Sequence, residues 1–197
     1  MGEPLSESAL DTIFRTARTY NGYTDEPVTE DDIRRIYDLL KMGPTSANQQ
    51  PARFIWCLSQ EAKDKLASFA SEKNAPKISK APAAVIIGMD ENFHEELPWL
   101  FPHADARSWF EGNLDLRRAN AFRNSSLQGA YFIIAARATG LDTGPMSGFD
   151  NAKVDAAFFG DRPSVKSNFI ATLGHGDPST IFERLPRPEF ERFNRID

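Results

Sequence analysis

The residues numbered 43–54 carry the densest group of side chains suited to binding a ligand. Gly43 and Pro44 open this segment, which then supplies four hydrogen-bonding side chains: Thr45, Ser46, Asn48 and Gln50. Hydroxyl and amide groups do not change protonation near pH 7, so they are poor acid–base catalysts. Prolines at both ends stiffen the segment, which suits it to hold a flat ligand with nitrogen and oxygen atoms on its edge. An ordinary turn rich in Asn, Ser and Pro is the alternative.

Two segments with paired arginines are candidates for binding phosphate. Arg15 and Arg18 end the predicted first helix and have hydroxyl groups nearby, among them that of Thr19. Arg184 and Arg187 form a second pair near the end of the chain. Arginine binds phosphate through paired hydrogen bonds, so the two pairs could close on one anion. The alternatives are a solvated helix end and a solvated tail.

A fourth candidate segment, 141–149, contains Gly144, Pro145, Met146 and Ser147. Glycine and proline here would let the backbone approach a flat ligand closely. The alternative is a plain connection between two helices.

Several kinds of site are not supported by the sequence. The three histidines, His94, His103 and His175, lack the spacing of a metal site. No serine lies in a G-x-S-x-G motif, and neither common phosphate-loop motif occurs.

The composition favours one globular domain over residues 1–197. Of these residues 41% are hydrophobic, enough for a core, and the net charge of −5 argues against nucleic acid as a partner. The single cysteine, Cys57, excludes an internal disulfide and favours a reducing compartment. No apolar run reaches membrane-spanning length, so we expect a cytoplasmic protein without a membrane partner.

Hydrophobic periodicity predicts helices separated by a few strands. Helices are predicted to about residue 18, from Thr29 to 40, and over 60–71, 116–139 and 151–159, with strands over 54–58, 83–89 and 166–173. Residues 73–80 are predicted as a polar connection, 90–113 as an aromatic insertion, and 175–197 as a tail. In the longest helix, the residues predicted to face inward are Phe122, Leu127, Ala130, Ile134 and Ala138.

Taken together and in this order, the four segments resemble the FMN-dependent nitroreductase family over nearly the whole chain. The motifs that carry the resemblance are G-P-T-S-A-N-x-Q-P-A-R-F, G-L-D-T-G-P-M-S-G-F-D and R-L-P-R. The stretches 100–110 and 122–126 resemble one branch, the RutE/HadB-type reductases, which includes the malonic semialdehyde reductase of pyrimidine degradation. The resemblance implies an α+β fold with a mainly antiparallel central sheet flanked by helices, in an intertwined homodimer with FMN at its interface.

The resemblance also implies roles for particular residues. The expected FMN-binding residues are Arg18, Thr19, Thr45, Ser46, Asn48, Gln50, Gly144, Pro145, Met146, Ser147, Arg184 and Arg187. This chain departs from the family pattern at Asn21, where a second cation is often found. NADH or NADPH is the expected hydride donor, and a small aldehyde the expected substrate.

The substrate side of the site is expected in the 90–113 insertion, which would cover the flavin, and just beyond it. Arg107 and Arg123 are candidates to bind the carboxylate of malonic semialdehyde, because arginine grips both oxygens of such a group. His103 is the candidate proton donor, since an unperturbed histidine titrates near neutral pH. The alternatives are a nitroaromatic, quinone or halophenol reductase of the same fold, and a flavin-binding protein without turnover.

Overall fold

The computed structural model describes residues 2–197, so the first residue of the predicted domain 1–197 lies outside it. Four strands form one sheet in the order β1-β2-β4-β3, and every neighbouring pair is antiparallel. Their bounds are β1 Ala52–Cys57, β2 Ala83–Asp90, β3 Asp142–Met146 and β4 Val165–Gly174. The predicted α+β class and antiparallel sheet are confirmed.

Helices pack on both faces of this sheet. They are α1 Glu7–Leu10, α2 Glu30–Leu40, α3 Gln60–Ala67, α4 Ala75–Lys80, α5 Leu97–Leu100, α6 Leu114–Ala138, α7 Asn151–Phe158 and α8 Phe190–Phe193. Alternate residues of β2 enter opposite cores, as expected for a strand buried on both sides. Val85 and Ile87 pack with α2 and α6, whereas Ile86 packs with α3, α4 and α7.

The start of α2 follows from a local signal in the sequence. The Thr29 hydroxyl accepts a hydrogen bond from the Asp32 backbone N–H at 3.2 Å, and the Asp32 carboxylate accepts one from the Thr29 N–H at 3.0 Å. This reciprocal pair satisfies two backbone donors at the helix start. The predicted N-cap is confirmed.

The predicted inward face of α6 is wrong. Phe122 is 57% exposed and Leu127 is 45% exposed, and Ala130 and Ala138 also face outward, whereas Ile134 is half-buried. The buried face instead carries Asn120, Asn124, Ser125, Gln128, Gly129, Phe132, Ala135 and Ala136, among others. Apolar residues occur all around this helix, so their spacing did not identify the covered side. An apolar stripe therefore remains uncovered within one chain.

Three other boundaries differ from the prediction. Residues 75–80 form α4, with Pro76 in its first turn and Ile78 buried, although 73–80 had been predicted as a connection. The 143–148 loop begins instead as edge strand β3, where a proline is tolerated. The first helix leaves α geometry at residues 11–15 for a π-helical turn and ends before Arg18.

The insertion is more regular than predicted. A 3-10 turn over Phe93–Glu96 leads directly into α5. Phe93, Leu97, Ala106 and Phe110 then form a small core of their own, together with Ala121 of α6. In residues 2–197, no helix combines the length and the apolar character that a membrane span requires.

Candidate functional site

The 43–54 loop adopts a backbone that needs outside support. Within it, Ala47, Asn48 and Gln50 have φ angles of 47°, 48° and 43°. Non-glycine residues are held in such left-handed conformations at a cost of about 1–3 kcal/mol each. Strain of this kind persists where neighbouring contacts fix the backbone, and it is concentrated at functional sites.

Three amide side chains of α6 provide that support. Asn120, Asn124 and Gln128 are four residues apart, so they lie along one face of the helix. Asn124 accepts from the Ser46 backbone N–H at 2.8 Å and donates to the Gln49 side-chain oxygen at 3.0 Å. We call these three residues the amide ladder. Sequence analysis missed it, although its four-residue spacing was a usable signal.

The outer two members of the ladder bind the rest of the loop. Gln128 accepts from the Ala52 backbone N–H at 2.8 Å and donates to the Gln50 side chain at 2.7 Å. Asn120 accepts from the Gln49 side chain at 3.4 Å. The ladder therefore spans the loop from Ser46 to Ala52.

The predicted cofactor-binding side chains of the loop differ in how far they are already engaged. Thr45 accepts from the Gln50 backbone N–H at 3.2 Å, and Gln50 donates to the Asn48 side chain at 3.0 Å. Asn48 donates to the Leu100 carbonyl oxygen at 2.9 Å, which ties the loop to the insertion. Ser46 is exposed. The loop is thus a preformed surface that presents hydroxyl and amide groups.

Arg53 fixes the end of the loop. Its guanidinium pairs with Asp90 at 2.9 Å and donates to the Gln50 carbonyl oxygen at 2.9 Å. This residue belongs to the motif quoted above but was not predicted as a site residue. Its contacts hold the left-handed Gln50 against the end of β2.

A cavity of about 700 Å³ adjoins the loop. The aromatic residues Tyr37, Phe54, Trp56 and Trp99 form much of its lining. The polar part consists of the amides Asn48, Gln50 and Gln128 and the charged residues Lys41, Arg53 and Glu96. Phe54 and Trp56 stack with ring centroids 6.1 Å apart. A flat, largely apolar molecule with a polar edge matches such walls.

A second cavity, of about 460 Å³, has four arginines and one carboxylate, that of Glu183, in its lining. We call it the arginine cavity; its lining includes Arg18, Asn21, Arg137, Arg184 and Arg187. Arg184 donates from one nitrogen to the carbonyl oxygens of Arg15 and Ala17, each at 2.9 Å. Arg18 donates to the carbonyl of Phe182. Both predicted arginine segments are therefore brought together.

Arg187 is held less firmly than Arg184. Among residues 2–197 it bonds only to carbonyl groups of its immediate neighbours, Leu185 and Pro186. Of the two tail arginines, Arg184 is therefore the one whose side chain bonds to the N-terminal segment.

Arg137 of α6 belongs to the same cavity and was missed by sequence analysis. One of its terminal nitrogens donates to the Ile13 carbonyl at 3.0 Å, but its Nε is buried without a partner among residues 2–197. Burial lowers the pKa of Arg137, as does the charge of Arg184, while Asp142 opposes them. Four arginines in the lining of one cavity fit a bound anion such as phosphate, because guanidinium groups pair with its oxygens and offset its charge.

The 144–147 segment lies beside this cavity. The Tyr20 backbone N–H donates to the Thr143 carbonyl at 3.2 Å, and Thr19 forms a bridge with Thr143. A Cβ atom on Gly144 would come within 2.6 Å of the Tyr20 carbonyl oxygen. Glycine is therefore required here for backbone packing within the chain, whatever its role toward a ligand.

One chain does not unite the four predicted segments. The amide ladder holds the loop at Asn124, whereas Arg137 marks the arginine cavity near the end of the same helix. Thirteen residues of helix separate them, which corresponds to roughly 20 Å at 1.5 Å per residue. The two halves of the predicted site therefore lie at separate places on one chain.

The candidate substrate residues have different surroundings. Arg107 is paired with Glu111 at 3.0 Å, whereas Arg123 is exposed on α6 between Phe122 and Asn124. The ring of His103 contacts that of Phe101 edge-on, with centroids 5.6 Å apart, in the exposed part of the insertion. Arg123 thus lies beside the loop support, on the uncovered face of the helix.

Comparison with known proteins places this fold and these motifs in one class. The family model described as "Nitroreductase family" matches residues 14–175. The chain belongs to the nitroreductase family.

Relatives of known sequence and structure agree with this assignment. A protein of Xanthomonas oryzae pv. oryzae, provisionally named an NADH dehydrogenase/NAD(P)H nitroreductase, is 55% identical over 197 residues and 100% of both chains. A nitroreductase of Bacillus subtilis shares the fold with a TM-score of 0.88 and 21% identity, over 98% of this chain and 100% of that one. A nitroreductase of Exiguobacterium sibiricum, solved in complex with FMN, has a TM-score of 0.85 and 16% identity over 100% of each chain.

Proposed function

We propose that this protein is an FMN-dependent NAD(P)H oxidoreductase. The observation that carries the proposal is the arginine cavity, whose lining brings together Arg18, Arg137, Arg184 and Arg187 as candidates to bind the phosphate of FMN. Arg18 and Arg184 are proposed as phosphate ligands, with Thr19 and Arg187 beside them. The FMN complex of the Exiguobacterium protein and the name of the Xanthomonas relative support the choice of cofactor and of hydride donor.

The flat part of the cofactor is assigned to the other two segments. The loop residues Thr45, Ser46, Asn48 and Gln50 would hold its polar edge, and the 144–147 segment would lie along it. When bound, FMN supplies hydride transfer between NAD(P)H and a second substrate. The amides and hydroxyls of the loop stay neutral, so they orient the ring without exchanging protons.

A homodimer would unite these residues. The two half-sites are anchored roughly 20 Å apart along one α6 and belong to separate cavities that share no lining residue. Phe122, Leu127 and Tyr131 leave an exposed apolar stripe on the same helix. Pairing two copies through this stripe would bury it and bring the loop of one protomer to the arginine cavity of its partner.

The proposed reaction is reduction of malonic semialdehyde to 3-hydroxypropionate. Arg123 is the stronger candidate for the substrate carboxylate, because Arg107 is already paired with Glu111. His103 is the proposed donor of the proton that the developing alkoxide takes up. The resemblance of the 100–110 and 122–126 stretches to the malonic semialdehyde branch supports this choice.

The cavity of about 700 Å³ beside the loop, which we call the aromatic cavity, favours a second substrate class. Its stacked Phe54 and Trp56, together with Trp99 in the same lining, match a nitroaromatic, quinone or halophenol better than a three-carbon aldehyde. Either substrate class would use the same cofactor and hydride donor.

The test is stepwise. The purified protein should bind FMN, turn yellow, and lose that colour with NADH or NADPH under nitrogen. Colour should return on adding the true substrate from a panel of aldehydes, quinones and nitro compounds. A protein that does not bind FMN contradicts the proposal, while one that binds but never turns over is a flavin carrier.

A further inference from the structure

We propose that Asn124 is a positioning residue for the flavin, acting through the 43–54 loop. This inference rests on the proposed function, since it assigns that loop to the flavin. Asn124 does not line either cavity described above. Its effect on a ligand would have to be transmitted through the backbone it holds.

Asn124 is fully engaged at the point where the loop is most strained. Its side-chain oxygen accepts from the Ser46 N–H at 2.8 Å, directly before the left-handed Ala47 and Asn48. Its side-chain nitrogen donates both to the Gln49 side chain at 3.0 Å and to the Asn120 carbonyl at 2.9 Å. The residue is 1% exposed, so bulk water does not compete for these bonds in the native protein.

The hydrogen bond between Asn124 and Gln49 determines which side chains of the loop point toward the cavity. Gln49 is itself 1% exposed and lies between Asn48 and Gln50, whose side chains face the aromatic cavity. Anchoring Gln49 inward therefore directs its two neighbours outward. Loss of the Asn124 amide would free this anchor and let the loop relax from its left-handed conformation.

The positioning role predicts a particular pattern of flavin affinity. Asn124→Ala should raise the Kd of FMN and the Kd of riboflavin by a similar factor, about ten-fold, because a buried hydrogen-bonding partner is lost. Riboflavin lacks the phosphate, so equal losses locate the effect at the ring rather than at the arginine cavity. Flavin fluorescence titration measures both constants.

A matched control is available on strand β4, which contacts the same helix. Asn168 of β4 donates to the hydroxyls of Ser125 and Ser126 at 2.8 and 3.0 Å, next to Asn124 but without contact with the loop. Asn168→Ala should lower the unfolding temperature of the apoprotein yet leave both flavin constants unchanged. Equal loss of affinity in the two variants would overturn the proposal, because any disturbance of α6 would then suffice.

A second variant guards against failure to fold. Gln49→Ala leaves Asn124 and its bond to the Ser46 N–H in place, adds no buried charge and removes only the side chain that Asn124 anchors, so both flavin constants should rise by a smaller factor. Unchanged constants in the folded variants, or a loss confined to FMN, would contradict the positioning role. Absence of flavin binding by the wild-type protein would instead contradict the proposed function.

Discussion

The Arg184 side chain donates to the backbone carbonyl of Arg15 at 2.9 Å, joining residues 169 positions apart in sequence. The contact closes the C-terminal segment over the N-terminal one and builds the arginine cavity between them. Neither arginine segment was distinguishable from a solvated chain end when considered alone. A candidate anion site exists only because the fold brings the two arginine segments together.

The arginine cavity should discriminate flavins by their phosphate. Arg18→Gln and Arg137→Gln should each raise the Kd of FMN about ten-fold or more, since hydrogen bonds to charged groups contribute ~1.5–3 kcal/mol, while riboflavin affinity stays constant. Fluorescence titration with both flavins checks this. Arg34→Gln, at an exposed salt bridge of α2, is the matched control and should change neither constant. Equal losses for riboflavin would show that the cavity does not bind the phosphate.

The divided site predicts complementation between inactive variants. Assayed at FMN concentrations well below the raised Kd, Arg18→Ala and Asn48→Ala should each bind little flavin and have low activity alone, because each damages both sites of a homodimer. Mixed and allowed to exchange subunits, they should recover about a quarter of wild-type sites, since half the dimers are mixed and each has one intact site. Steady-state NAD(P)H oxidation measures the recovery. No recovery despite proven exchange would place both residues in the site of one chain.

Arg123 should determine the KM for substrates that have a carboxylate. Arg123→Ala should raise the KM for malonic semialdehyde at least about ten-fold and leave that for an uncharged aldehyde nearly unchanged, because only the former has a carboxylate to pair. Arg107→Ala, which breaks the pair with Glu111, should affect both substrates little. Steady-state kinetics with the two aldehydes decide the matter. If both variants lose activity equally on the two aldehydes, neither residue binds the substrate carboxylate.

The reciprocal hydrogen bonds between Thr29 and Asp32 at the start of α2 should make the free energy of unfolding depend on pH in the acidic range. Hydrogen bonds from Thr29 lower the pKa of Asp32 below its ordinary value of 3.8, so its contribution is present above that value and lost as pH falls through the lower folded-state pKa. The destabilisation by Asp32→Asn should therefore be largest at neutral pH and vanish in acid. Thr29→Ala should cost ~1 kcal/mol of unfolding free energy at pH 7. Urea unfolding across pH measures both, and a destabilisation that is independent of pH contradicts the assignment.

The single cysteine should be inert in the native protein. Burial raises the pKa of the Cys57 thiol to about 11, and only the thiolate reacts readily. Thiol-specific reagents at pH 8 should label it slowly in buffer and at the normal rate in urea. Rapid native labelling would mean that β1 opens to solvent.

Local signals in the sequence predicted those parts of the fold that local contacts create. Thr29 and Asp32 mark the start of α2, and Gly140, with a φ of 88°, ends α6 as expected. Helix α4 was missed because six residues are too few to show a helical period. Strand β3 was missed because Gly144 and Pro145 disfavour a strand, and pairing with β4 outweighs that preference.

The sequence predicted which segments contribute to the candidate site, but it did not predict how those segments are placed relative to one another. The amide ladder shares no residue with the set predicted to face inward on α6, so its contacts with Ser46 and Gln49 were not foreseen. Arg137 occurs in an apolar stretch that gives no phosphate signal. Both roles depend on contacts between residues more than 70 positions apart, which periodicity does not report.

The uncovered stripe of α6 has a consequence for how this protein responds to its own abundance. If the cofactor requires groups from two copies, dilution below the dissociation constant separates the half-sites and releases the flavin by mass action. Flavin and protomer then stabilise the same assembled state, so each raises the apparent affinity for the other. Dimers formed through Phe122 and Leu127 would be the active species. At low expression, the amount of active enzyme would then rise with the square of the protomer concentration.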